Sequence, residues 1–167
     1  MNEVSPSREK LESRARNVLL FQLSKSAKSK AQLRALLVKR EIPEEIAEAA
    51  LDRFEETGLI NDRQFAETLV ASRRGHRGLS RSAIRRELAT KGVAQDIIDD
   101  LTAEIDSEAE LRTAKLLAAK RIMQMTSLER DVQERRLGGY LQRKGYGSGV
   151  VYAAIRYALE QAVKSEA

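Results

Sequence analysis

The 167-residue chain has no cysteine and no tryptophan, one histidine and two prolines. Without cysteine there is no disulfide framework and no thiolate metal site, and His76 alone cannot build a multi-imidazole centre. No stretch approaches eighteen uninterrupted apolar residues, and the N-terminus has no apolar core of the kind a secretion signal needs. Membrane spanning and export therefore lack their physical signal, and the expected location is the cytoplasm. Proline-poor and rich in Ala, Leu, Glu, Arg and Lys, the chain has the local preferences of an all-helical protein with little or no strand.

What is present is charge: 30 Lys and Arg against 25 Asp and Glu, a net charge of +5. That balance permits nucleic-acid contact without requiring it, so the placement of the charges has to decide. The placement follows an internal repeat. Ser29 to Phe54 overlays Ser80 to Ile105 at an offset of 51 without a gap, pairing Leu33 with Ile84, Leu37 with Leu88, Ile42 with Val93 and Ile46 with Ile97. A further offset of 53 carries Leu88 to Leu141, Lys91 to Lys144, Gly92 to Gly145 and Val93 to Tyr146. Each copy reads as three helices, and the stripes Leu33, Leu36, Leu37 and Ile46, Ala49, Ala50, Phe54 have helical spacing.

The expected architecture is all-α: three tandem three-helix repeats forming an elongated, curved protein, because each copy would contact chiefly its neighbours. The repeats are placed at 14–58, 59–106 and 107–163, between flexible tails at 1–13 and 164–167. The nine helices are placed at about 14–24, 29–40, 43–56, 62–74, 80–91, 94–106, 108–122, 127–144 and 147–163. Ser29 and Ser80 suit N-caps, Asn61-x-x-Gln64 and Thr126-x-x-Glu129 resemble capping boxes, Pro43 fits a first turn, and Gly92 and Gly145 can adopt the left-handed conformation that ends a helix.

Within a repeat the charges separate. Lys25 to Arg40 holds six basic residues and no acidic one, whereas Glu41 to Glu56 holds seven acidic residues and one arginine; the second copy does the same. Middle helices are basic and third helices acidic. Two consequences compete. The opposed faces can attract one another inside the repeat, with Arg40, Lys91 and Lys144 complementing helix C-termini. Alternatively Lys30, Arg34, Arg81 and Arg85, in equivalent places on successive copies, form a basic stripe suited to a phosphate backbone or an acidic protein groove. Glu134 and Gly138 occupy those places in the third copy, which weakens the stripe there. The candidate interaction surface is thus Lys30, Arg34, Arg40, Arg81, Arg85, Lys91, Arg143 and Lys144.

No nucleophile, base and orienting group recur together, so no catalytic residue, metal or cofactor is assigned and the chain is read as a non-enzyme. His76, in Gly75-His76-Arg77-Gly78, is expected in an exposed loop. Of the four tyrosines, all in the third copy, Tyr146 aligns with core positions Ile42 and Val93. Gly145-Tyr146-Gly147-Ser148-Gly149 lacks the Lys-Ser/Thr ending and preceding strand of a phosphate-binding loop and reads as a helix joint.

Gly58-Leu59-Ile60-Asn61-Asp62-x-x-Phe65-Ala66, then Gly78-x-Ser80, then Ile84-x-x-Glu87-Leu88-x-x-Lys91-Gly92-Val93 resembles the RecX family of bacterial recombination regulators, over about residues 14–163. Asn61 stands where that family often has Asp, and Arg40-Glu41 replaces the usual Lys-Gly ending in copy one. The resemblance implies a small protein of three-helix repeats that binds the RecA filament, lodging in its helical groove; the chain is expected to be a monomer. It also implies suppression of RecA's ATP hydrolysis, strand exchange and co-protease activity in DNA repair and the SOS response. The competing reading is a helical-repeat protein that binds DNA directly, without RecA. A helix-turn-helix built from residues 80–106 is disfavoured, because its second, recognition helix would be acidic.

Overall fold

The computed structural model describes residues 6–167, and among them there are nine helices and no strand. These are α1 (Arg8–Lys25), α2 (Lys30–Lys39), α3 (Glu44–Glu56), α4 (Asp62–Gly75), α5 (Arg81–Thr90), α6 (Gln95–Thr102), α7 (Ser107–Ile122), α8 (Arg130–Arg143) and α9 (Ser148–Glu166). The described residues form two compact units: those up to Thr68 together with Leu88–Ile98, and Leu69–Glu87 together with Asp99–Ala167.

In the first unit, Ala15 and Leu19 of α1, Leu33 and Leu37 of α2, and Ile46, Leu51 and Phe54 of α3 close one apolar core. Ser29 starts α2 with a full capping box: its hydroxyl accepts from the Gln32 amide at 3.2 Å while the Gln32 side chain accepts from the Ser29 amide at 3.0 Å. In the second unit α7, α8 and α9 enclose Ala114, Ala118, Ile122, Leu137, Leu141, Ala154 and Ala158. Alanines four apart on α7 and again on α9 leave no side chain beyond Cβ, so these helices can pack closely. Tyr146 is in this core, as its alignment suggested, and donates its hydroxyl to the Gly78 carbonyl at 2.7 Å.

All three middle helices end in the same way. Ile42 donates to Leu37, Val93 to Leu88 and Tyr146 to Leu141, each amide to the carbonyl five residues back, at 3.1, 3.1 and 3.3 Å. The bond requires a left-handed residue just before the donor, and Glu41 (φ 59°), Gly92 (φ 76°) and Gly145 (φ 92°) supply it. Glycine is needed in the later copies for a second reason. A Cβ on Gly92 would lie 2.3 Å from the Ala31 Cβ, and one on Gly145 would lie 2.5 Å from the Ser80 hydroxyl oxygen and 2.7 Å from the Ala83 Cβ. Each of these turns seats on the start of the preceding copy's middle helix. There the Ser29 hydroxyl donates to the Lys91 carbonyl at 2.5 Å, and the Ser80 amide to the Lys144 carbonyl at 2.9 Å. In copy one the corresponding residue, Glu41, is exposed.

Four boundaries depart from the sequence expectation. The N-terminal tail was placed at 1–13, yet α1 begins at Arg8; residues 1–5 of that span lie outside the described residues. Ser7 caps the helix by accepting from the Lys10 amide at 3.4 Å, and Arg8 bridges Glu12 at 2.9 Å and Glu45 at 3.0 Å. This turn is held by polar contacts, which an apolar stripe does not reveal. Helix α6 stops at Thr102 rather than 106, because Asp106 caps α7 by accepting from the Ala109 amide at 2.7 Å. Helix α8 starts at Arg130 rather than 127: Thr126 is no cap, since Met125 and Leu128 make tight turns and the Gln133 side chain satisfies the Met125 carbonyl at 2.8 Å. Helix α9 runs to Glu166, so residues 164–166 of the supposed C-terminal tail are helical.

Candidate interaction surface

Lys30 and Arg34 lie one turn apart on α2, and Glu48, Asp52 and Glu55 on successive turns of α3. The two rows meet. The Lys30 ammonium reaches Asp52 at 2.9 Å and Glu55 at 3.1 Å, and the Arg34 guanidinium grips Glu48 with two bonds, 2.5 Å from Nε and 3.1 Å from Nη2. The hydrogen bond that the Lys30 ammonium donates to Asp52 raises its pKa against the opposing effect of partial burial. Arg34 holds Glu48 below its usual carboxylate range, and Glu48 in turn raises Arg34.

The second copy repeats the pair at the repeat offset. Arg85 stands 51 residues after Arg34, and its partner Asp99, at 2.6 Å, stands 51 residues after Glu48. Its other guanidinium nitrogen donates to the buried Thr102 hydroxyl at 2.8 Å. The counterparts of Asp52 and Glu55 are Ala103 and Asp106, so Arg81 lacks the carboxylate pair that holds Lys30, and its buried Nε has no hydrogen-bond partner. In the third copy the arginine and carboxylate positions hold Gly138 and Tyr152. A second shared feature joins consecutive copies. The first amide of each of α2 and α5 donates to a carboxylate near the start of the next copy's first helix, Lys30 to Asp62 at 2.8 Å and Arg81 to Glu110 at 3.1 Å.

Of the eight candidate cations, Lys30, Arg34 and Arg85 are therefore tied to third-helix carboxylates of their own repeat, the internal pairing that the charge pattern had left open. Arg40 caps the exposed end of α2, and Arg143 is exposed on the last turn of α8. Lys91 is half-buried, with its carbonyl taken by Ser29. Lys144 donates its ammonium to the Arg77 carbonyl and lies 5.1 Å from the Tyr140 ring; burial, with the Arg77 charge, lowers its pKa. His76 is exposed, and no group of three or more His, Cys, Asp or Glu able to hold a metal ion exists among the described residues.

The three repeats match, in order, three family domains: the RecX first three-helix domain over residues 15–54, the second over 61–101 and the third over 108–155. The chain belongs to the RecX family. It is 46% identical over 156 residues to the regulatory protein RecX of Streptomyces coelicolor, covering 93% of this chain and 82% of that one. It is 39% identical over 156 residues to that of Thermobifida fusca, covering 93% and 84%. The crystal structure of RecX from Lactobacillus salivarius shares the fold, with a TM-score of 0.73 at 19% identity over 90% of this chain and 97% of that one. A crystal structure of regulatory protein RecX superposes with a TM-score of 0.69 at 25% identity, covering 87% and 71%. RecX is a family of regulatory proteins, and the ion pairs above link the middle and third helices in the first two repeats of this member.

Proposed function

We propose that this RecX protein is a non-enzymatic, cytoplasmic regulator that binds the RecA nucleoprotein filament in its helical groove. There it inhibits RecA's ATP hydrolysis, strand exchange and co-protease activity, acting in recombinational repair and the SOS response. The observation that carries the reading is the match of all three RecX domains, in order, along the chain. Membership of a regulatory family and the lack of a recurring nucleophile and base support a binding role. No described helix is long and apolar enough to cross a membrane.

The charge geometry favours some of the candidate cations over others. A cation already sharing a proton with a carboxylate gains little from a second anion, so Lys30, Arg34 and Arg85 serve the fold first. Arg40, Arg81, Lys91 and Arg143 keep charge for a partner. The test is a titration of the protein, at amounts well below RecA, into RecA on single-stranded DNA. ATP hydrolysis falls if the reading is right, and an unchanged rate over a broad titration rejects it.

Direct DNA binding remains the second reading. A helix-turn-helix does not carry it, since α6 holds Asp96, Asp99 and Asp100 and no Lys or Arg. What favours it is a separate cluster of arginines.

A further inference from the structure

In the second unit, the last turn of α7 and one face of α8 frame an open groove of about 420 Å³. Arg121, Arg135, Arg136 and Arg143 line it, with Tyr140 and Gly139, and no carboxylate does. The contrast with neighbouring arginines is direct: Arg130, one turn before the cluster on α8, is paired with Glu134 at 3.2 Å, and Arg112, on α7, with Glu108 at 3.5 Å. Arg121 donates to the Gln124 side chain at 2.9 Å, a neutral partner that leaves its charge unmatched.

The groove is also shaped. The Tyr140 ring lies 5.3 Å from the Arg121 guanidinium and 5.1 Å from the Lys144 ammonium, so one aromatic side chain gathers cations from two elements. Gly139 lies midway between Arg135 and Arg143, and a Cβ there would sit 3.1 Å from an Arg143 guanidinium nitrogen. The bare backbone lets that guanidinium lie across the helix. Arg135, Gly139 and Arg143, four residues apart, run about 12 Å along α8.

We propose that this groove is a binding site for the phosphodiester backbone of a nucleic acid strand. Guanidiniums spread over about 12 Å of α8, with Arg121 beside them, can engage more than one consecutive phosphate of a strand. Guanidinium forks engage phosphate oxygens two at a time. An acidic protein would also satisfy the charge, but the groove leaves it little free apolar surface: Met125 is buried in the core, and the Tyr140 ring already faces the Arg121 and Lys144 cations. The site works without RecA, so its fate is separate from that of the filament reading.

The test uses the full chain with a fluorescent oligonucleotide, single-stranded or duplex, in the absence of RecA, at several salt concentrations. Arg135→Gln/Arg136→Gln is compared with Arg112→Gln/Arg156→Gln, which removes the same charge from exposed, carboxylate-paired positions outside the groove. The groove variant should bind at least about tenfold more weakly at low salt, with a log–log salt slope shallower by roughly 1.4 on a single strand, about 0.7 for each phosphate that is no longer neutralised. The control should stay within about twofold of wild type. Circular dichroism monitors helix content, and Arg143→Gln provides a second, independent weakening in the same direction. Superimposable curves for the groove variant and wild type overturn the proposal. So does an equal weakening in both double variants, which would mean net charge alone, and so does binding of poly-glutamate in preference to either oligonucleotide.

Discussion

Replacing Gly92 by alanine tests the physical reason that this fold places glycine after its later middle helices. Two costs are combined at that position. A left-handed conformation burdens any residue with a Cβ by about 1 kcal/mol. In addition the new methyl would sit 2.3 Å from the Ala31 Cβ, an overlap that forces the start of α2 to move. Overpacking of this kind costs about 1–3 kcal/mol, so Gly92→Ala should lose roughly 3 kcal/mol in all, a fall in Tm on the order of 9 °C. Gly58 separates the two costs, because its φ of 77° nearly equals that of Gly92 at 76° while nothing lies within 4 Å of its added Cβ. Gly58→Ala should therefore cost only the conformational part, about 1 kcal/mol. Urea and thermal unfolding followed at 222 nm measure both. Equal losses for Gly92→Ala and Gly58→Ala would refute the packing argument and leave the glycine explained by φ alone.

Two further outcomes follow from the titrating groups. Glu48 has a folded pKa held below its unfolded value by Arg34, so its pair contributes above about pH 4.3 and the contribution is lost as pH falls through the folded pKa. With the side chains 43% and 36% exposed, solvent screening limits that contribution to less than about 1 kcal/mol; Glu48→Gln should lower the urea midpoint at pH 7 slightly and shrink the pH 7 to pH 3 difference. The Tyr146 phenol, pushed up to about 12 by burial, stays protonated while an unfolded tyrosine ionises near 10. Stability should therefore decline as pH rises from about 10 to 12, a slope that Tyr146→Phe removes while costing about 1 kcal/mol at neutral pH through the missing bond to Gly78.

Much of the fold is legible because it is written twice or three times. The offset that aligned Leu33 with Ile84 also aligned Arg34 with Arg85 and Glu48 with Asp99, so both partners of the recurring ion pair were visible, though not their distance. The Ser29, Asn61 and Ser80 caps could be read because a cap is local: the Asn61 side chain accepts from the Gln64 amide at 3.0 Å and the Ser80 hydroxyl from the Ala83 amide at 3.1 Å. Glu41 shows the limit. Its left-handed φ follows from the shared turn, and the reason a glutamate is acceptable there lies in packing that no single segment encodes.

Of the arginine groove, sequence reading named only Arg143, and the rest was missed for the opposite reason. Reading the third copy through the repeat register directs attention to Glu134 and Gly138, where the stripe fails, whereas Arg135, Arg136 and Arg121 stand outside that register. Their meeting depends on the approach of α7 to α8 and on the absence of a facing carboxylate. A count of unbalanced charge along α8 alone would have flagged part of it.

Sedimentation of RecA filaments assembled on single-stranded DNA, with and without this protein, tests the central claim most directly. The account predicts that the protein pellets with the filament, saturably and at a fixed ratio to RecA, also when the DNA groove is disabled by Arg135→Gln/Arg136→Gln. Protein that stays in the supernatant at every concentration, or that pellets only as far as naked DNA carries it, would contradict the account.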